Sequence, residues 1–175
     1  MRQDLDRLNG TINNVLDAAL YTDHPVQDPR PLDLARLARR TIDLTLTRHQ
    51  LPREAIRYEG PSKLYLAGDV QALETAVLNL LDNAVEAIEP PGEIHVAFVK
   101  RDGHLSIRVA DTGPGIPAEA KSKLFLPYFS TKGRGTGLGL SIVQRIVYDH
   151  GGDVFAQNHP EGGAVVVVRL RRARS

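Results

Sequence analysis

Residues 112–136 hold seven glycines and prolines, so a long irregular span must be accommodated inside a chain of 175 residues. Loops beyond about 12–15 residues are uncommon in compact domains and tend to be lids or binding loops. What brackets this one narrows the choice of fold. His104 to Ala110 alternates as a strand and is followed by Asp111-Thr112-Gly113-Pro114-Gly115-Ile116. On the far side, Gly133-Arg134-Gly135-Thr136-Gly137-Leu138-Gly139-Leu140 opens a helical pattern from Gly137 to His150, with Leu138, Ile142, Ile146 and Val147 on one face and Gly151-Gly152 as its stop. A strand, a flexible flap and a glycine-led helix therefore have to be neighbours.

The remaining elements point to one layered domain. Leu5, Leu8, Ile12, Val15, Leu16 and Ala19 recur at helical spacing over residues 1–20. A lone helix of about twenty residues is marginal in water, so this stripe needs a partner. Residues 21–31 contain Pro25, Pro29 and Pro31 and read as a linker. Pro31 to His49 is a second helix, preceded by a strand residue or two. Ala55 to Glu59 and Lys63 to Ala67 are short strands around a Gly60-Pro61 turn. Asp69 starts a helix to about Ile88, stopped by Pro90-Pro91-Gly92, and Glu93 to Lys100 pairs with His104 to Ala110 across an Asp102-Gly103 hairpin turn. Asp153 to Gln157 and Ala164 to Leu170 close the chain as strands. Strands and helices do not alternate one for one, which disfavours a doubly wound fold. The expectation is an α/β (α+β) two-layer sandwich: a mixed β-sheet with helices on one face and a long lid, preceded by an N-terminal helix.

Composition excludes several chemistries. The chain has no cysteine, which removes disulfides, thiolate catalysis and cysteine-bound zinc. Its apolar runs are short and interrupted by charge, so a cytoplasmic location is expected. Formal net charge is +1, which gives no bulk attraction to nucleic acid. The basic residues Arg169, Arg171, Arg172 and Arg174 read as a solvated terminus, so no nucleic-acid partner is expected.

Three groups of residues carry chemistry. Within the helix Asp69 to Ile88, the apolar wall is Val70, Leu73, Val77, Leu80, Leu81, Ala84 and Ile88, while Asn79, Asn83 and Glu86 share a stripe on the other side. A polar stripe is ordinarily a solvated face, but Asn is a poor helix former, and two in register cost stability unless they act. An amide oxygen is a neutral hard ligand suited to Mg²⁺. Asp111 at the end of a strand commonly initiates a glycine turn. At the mouth of an apolar cleft it would instead accept a hydrogen bond from the exocyclic amine of adenine and disfavour guanine. The alternating glycines before the last helix place N–H groups and a positive dipole end where a phosphate chain would lie. They form neither a Walker loop nor a dinucleotide fingerprint.

Taken in order, Asn79-Leu80-Leu81-Asp82-Asn83-Ala84, Asp111 to Ile116, Leu124-Phe125-Leu126-Pro127-Tyr128-Phe129-Ser130-Thr131-Lys132 and Gly133 to Leu140 resemble the N, G1, F and G2 boxes of the ATP-binding domain of sensor histidine kinases. The resemblance runs from about Leu32 to Leu170 and implies a Bergerat-type sandwich binding ATP and Mg²⁺. It implies nucleotide contacts from Asn79, Asn83, Asp111, Gly113, Gly115, Ile116, Lys132, Gly133, Gly135, Thr136, Gly137, Leu138 and Gly139, with Asn83 on the metal. Lys132 and Arg134 would face the phosphates, and Phe125 and Phe129 would anchor the lid. Related ATPases of the gyrase, chaperone and mismatch-repair type carry a water-activating glutamate where this chain has Asn79, and an amide cannot take a proton.

Departures from the family pattern also matter. Glu86 stands where many members have a lysine, and Ala164 where a threonine is frequent. None of His24, His49, His95, His104, His150 or His159 is followed by an acid, so the phosphoacceptor histidine is expected outside this chain. Residues 1–20 resemble the end of the second helix of the dimerisation hairpin, which would allow a homodimer. The resemblance thus implies a catalytic domain that phosphorylates a histidine on the dimerisation domain of its parent kinase, itself open to membrane anchoring. A response regulator receiver would lie downstream. The alternatives are an ATP-sensing interaction module that transfers nothing, and another ATPase or serine kinase of the same superfamily.

Overall fold

The computed structural model describes residue 26 and residues 29–101, 103–131 and 136–171. The helix expected over residues 1–20 and most of the 21–31 linker lie outside the described residues, as do Lys132, Gly133, Arg134 and Gly135.

The chain enters through β1 (Arg30–Asp33) and turns directly into α1 (Leu34–Arg48). Asp33 makes that turn: its Oδ1 accepts the N–H groups of Ala35 (3.1 Å) and Arg36 (3.3 Å), capping the helix, and that of Leu64 (2.9 Å) from across the fold. These amides, Leu64 foremost, hold the Asp33 carboxyl below its ordinary range. β2 (Ile56–Glu59) and β3 (Tyr65–Gly68) follow, then α2 (Val70–Ala87), capped by Asp69 through its bond from the Ala72 N–H at 3.0 Å. The hairpin β4 (Ile94–Arg101) and β5 (His104–Asp111) leads into the long loop, which contains one 3₁₀ turn at Ala118–Ala120. α3 (Gly139–Asp149), β6 (Asp153–Asn158) and β7 (Ala164–Arg171) complete the domain.

Five strands form one mixed sheet in the order β2-β4-β5-β7-β6, with β2 and β4 parallel and every other pair antiparallel. β1 and β3 form a separate antiparallel pair. The expected proximity of β2 and β3 around Gly60-Pro61 does not make them partners: each pairs with a strand distant in sequence.

The core lies between the helices and one sheet face. Leu34, Leu73, Leu80 and Leu81 from the helices meet Ile94, Val96, Ile107, Val109, Val168 and Leu170 from the sheet, all nearly inaccessible. At about 1.5–3 kcal/mol per fully buried aliphatic side chain, this interface is the main stabilising contribution. Val70, expected on the apolar wall of α2, is 46% exposed, as the first residue of the helix, while Ala72 and Leu73 in the same turn are buried. His150 fastens the two helices that frame the loop. Its Nδ1 donates to the Ile146 carbonyl at 2.7 Å and its Nε2 accepts the Asp69 N–H at 3.0 Å, so the end of α3 is tied to the start of α2.

Candidate functional site

α2, the ends of β5 and β7, the long loop and the start of α3 enclose a cavity of two lobes. The larger, about 360 Å³, is lined by Asn83, Asp111, Gly115, Ile116, Ala164 and Val166 among others. The smaller, about 170 Å³, is lined by Asn79, Asp82, Asn83, Glu86, Phe129, Thr131, Thr136, Gly137 and Gly139 among others. Asn83, Leu124, Thr131 and Leu140 line both, so the two lobes form one continuous trough. The structure therefore brings together Asn79, Asn83, Asp111, Gly115, Ile116, Thr136, Gly137 and Gly139 from three separate sequence motifs. Leu138, also expected here, is 2% exposed and belongs to the core beneath the trough. Gly113 lies one residue outside the lining.

Asp111 is placed by the sheet itself. As the last residue of β5 it faces inward opposite Ile94 and is 8% exposed. Its Oδ1 accepts the N–H groups of Gly113 (2.8 Å) and Ala164 (3.3 Å), and Oδ2 has no partner among the described residues. A buried carboxylate with one oxygen committed to the fold and the other toward a cavity is poised to accept a bond from a ligand donor. Glycine is needed around it for packing. A Cβ on Gly113 would sit 2.5 Å from the Ala87 carbonyl, and one on Gly163, where φ is +82°, would sit 1.8 Å from the Asp111 carbonyl.

Asn158 is a contributor the sequence did not reveal. Its Oδ1 accepts the Ile116 N–H at 2.6 Å and its Nδ2 donates to the Ile116 carbonyl at 3.0 Å, clamping the loop to the end of β6.

The smaller lobe is polar and meets a helix start. Gly139 and Leu140 bring the beginning of α3 to its wall, and no side chain caps that helix. A Cβ on Gly139 would lie 3.1 Å from Asn79 Oδ1, so the two helices touch through the amide. Asn79 Nδ2 in turn donates to the Thr75 carbonyl at 2.9 Å, which aims Oδ1 toward α3. Asp82 is a second lining residue that sequence reading passed over. Its Oδ2 pairs with Arg48 at 2.8 Å and its Oδ1 with His49 at 2.9 Å, both at the end of α1. A neighbouring carboxylate, Glu86, is exposed at the rim. Phe125 packs on the core and Phe129 lines the lobe, so the described part of the loop is held by both aromatic residues.

Residues 68–174 match the family described as Histidine kinase-, DNA gyrase B-, and HSP90-like ATPase. The chain is 36% identical over 174 residues to the sensor histidine kinase ZraS of Klebsiella oxytoca, covering 97% of this chain and 37% of that protein. Among solved structures, full-length ShkA in complex with AMPPNP superposes with a TM-score of 0.79 at 28% identity, covering 99% of this chain and 38% of that one. Histidine kinase ThkA in complex with response regulator protein TrrA superposes with a TM-score of 0.78 at 26% identity, covering 98% and 49%. This chain thus spans less than half the length of these relatives.

Proposed function

The chain belongs to the histidine kinase-, DNA gyrase B- and HSP90-like ATPases and is an ATP-binding catalytic domain of the sensor histidine kinase kind, and on that premise we propose how it holds ATP and where the phosphoryl group goes. Adenine occupies the larger lobe, its exocyclic amine donating to Asp111 Oδ2. The triphosphate runs past Asn83 into the smaller lobe, toward the uncapped start of α3. The γ-phosphate is then transferred to a histidine supplied by the dimerisation domain of the parent protein. The observation that carries this reading is Asp111, buried at the lobe floor with one carboxylate oxygen left for a ligand.

The donor set fits a magnesium ion. Asn83 offers a neutral oxygen at the junction of the two lobes, where phosphate oxygens and water would complete the shell. Mg²⁺, when bound, would neutralise charge on the phosphate oxygens. The protein's own contribution is positioning: Asp111 selects and orients the base, the start of α3 faces the phosphates, and the loop excludes water. Lys132 and Arg134, from the segment between Thr131 and Thr136, are proposed as the phosphate-facing cations, a role that Glu86 cannot fill. Gly113, Gly133 and Gly135 are assigned to the same loop system on sequence grounds, and Leu138 to packing beneath it.

No helix among the described residues is long and apolar enough to cross a membrane. We place the domain in the cytoplasm, where ATP is supplied, whether or not the parent protein is anchored. Residues 1–20 are assigned to the dimerisation helix, and a response regulator receiver is the proposed acceptor of the phosphoryl group after histidine. The test mixes this chain with the histidine-bearing helical domain of its parent and γ-labelled ATP. Acid-labile, base-stable label on that domain is expected. ATP binding without label would leave an ATP-sensing module, and release of free phosphate alone would indicate an ATPase.

A further inference from the structure

The sheet face turned away from the helices has an uneven charge distribution. Strand register places Arg101 opposite His104, His104 opposite Arg171, Ser106 opposite Arg169 and Arg108 opposite Val167, all pointing outward. At the β2 edge the basic residues of this face lie beside acids: Arg57 is 3.0 Å from Glu93 and His95 is 3.1 Å from Glu59. Toward the β4–β5 hairpin and the end of β7, basic residues outnumber acids at the outward strand positions. Among the described residues, the outward positions of β4 to β7 there include Arg101, His104, Arg108, Arg169 and Arg171, and the one acid is Asp153, opposite Arg169. Arg169, within the expected last strand, and Arg171, just beyond its expected end, are both residues of β7 and complete this field. A formal net charge of only +1 for the whole chain makes such a concentration a local feature.

Shape adds a second observation. A shallow concavity of about 680 Å³ covers this face, lined by Val99, Arg101, His104, Arg108, Phe155 and Arg169 among others. A smaller cleft of about 180 Å³ lies round the hairpin end, between Leu64, Tyr65, Leu66, Lys100 and Leu105. Arg101 and His104 line both, so the two hollows meet at the same two side chains. The cleft floor is apolar and recessed, with Leu64 and Leu105 each 3% exposed, while Tyr65 beside them is 61% exposed.

We propose that this basic face and the adjoining leucine cleft together form a docking surface for an acidic segment of a protein partner. Its carboxylates would lie against Arg108, Arg169 and Arg171, and one apolar side chain would enter the cleft past Arg101 and His104. Arginine forks match carboxylates in pairs, and a recessed apolar floor supplies the anchor that charge alone lacks. A single-stranded nucleic acid is a poorer match. The face carries one aromatic ring, Phe155, and the Arg169 guanidinium already stacks on it at 5.5 Å from the centroid. A bilayer is poorer still, because the apolar groups are sunk in a cleft that a side chain can enter and a flat surface cannot.

The test uses the full chain and a short fluorescein-labelled peptide repeating Glu-Glu-Leu, with oligothymidylate and phosphatidylserine vesicles run in parallel. Saturable peptide binding that weakens with salt is expected, with backbone amide shifts confined to the hairpin end, β7 and the Leu64–Leu66 segment. Replacing leucine by glycine in the peptide should weaken binding. The double variant Arg108→Glu, Arg169→Glu should weaken it by about tenfold or more. Arg108→Gln with Arg169→Gln repeats the test should charge reversal disturb folding. ATP affinity should be unchanged in both variants, which separates this surface from the nucleotide trough. Peptide binding that the variants leave intact, shifts that map to the trough, or tighter binding of oligothymidylate or vesicles would each overturn the proposal.

Discussion

Asp111→Asn isolates one oxygen. The Oδ1 bonds from Gly113 and Ala164 can be kept by an asparagine carbonyl of the same shape, so the loop and the start of β7 retain their tether. What changes is Oδ2, which becomes an NH₂ and turns an acceptor at the lobe floor into a donor. An adenine amine would then face a donor. The lost bond is to a charged group, worth about 1.5–3 kcal/mol, which converts to roughly 10- to 150-fold weaker ATP binding. Loss of charge on the two retained bonds should cost stability no more than about 1 kcal/mol. Titration calorimetry with ATP and GTP, set beside thermal melts, reads both quantities. The expected result is a large loss for ATP, a narrowed preference over GTP and a near-unchanged melt. ATP affinity equal to wild type in a folded variant would refute the assignment of the base to this lobe. A collapsed melt would instead make Asp111 a structural residue.

Asn83→Ala should weaken ATP binding by about tenfold or more in Mg²⁺ but much less in EDTA; equal loss in calorimetry under both conditions would remove the metal role. Gly163→Ala introduces a Cβ 1.8 Å from the Asp111 carbonyl at a φ of +82°, and chemical denaturation should show a loss of at least about 2 kcal/mol. Asp33→Ala removes the α1 cap and the tether to Leu64, costing about 1–2 kcal/mol at neutral pH. Because the Asp33 carboxyl is lowered from an ordinary value of 3.8, its stabilising effect is complete above that pH and is lost as pH falls through its folded value. Melts of wild type and variant should therefore converge in acid, and a gap that widens there would contradict the cap.

Periodic elements were legible and pairings over distance were not. α2, α3 and the β4–β5 hairpin follow from apolar spacing, caps and an Asp-Gly turn, which are local signals, and the structure reproduces their bounds to within about two residues. β2 and β3 are four residues each, too short to carry register, so their separation into two sheets depended on strands not yet met in sequence order. The same limit hid Asp82. It stands between the two asparagines of a motif, but what defines it is Arg48 and His49 on another helix. Arg171 looked like a tail because the expected strand stopped at Leu170 before further arginines, and its pairing with His104 shows that β7 continues through it.

Asp82 bears on why this trough would transfer a phosphoryl group rather than spend it on water. Hydrolysis needs a base within reach of a water beside the γ-phosphate. Asn79, Asp82 and Glu86 line the smaller lobe, into which the proposed triphosphate runs. Asn79 is an amide whose NH₂ is engaged by the Thr75 carbonyl, and it has no proton-accepting capacity of the required strength. Asp82 is a carboxylate, but Arg48 and His49 occupy both of its oxygens at 2.8 and 2.9 Å, so taking a proton would first require breaking those contacts. Glu86 is exposed at the outer rim of the lobe. Among the described residues, the position of Asn79 thus holds an amide and Asp82 a carboxylate already engaged on both oxygens, an arrangement suited to a nucleophile that does not depend on them for a base. An imidazole would attack through a ring-nitrogen lone pair as ADP leaves, and the proton on its other nitrogen would pass to a base supplied with that histidine.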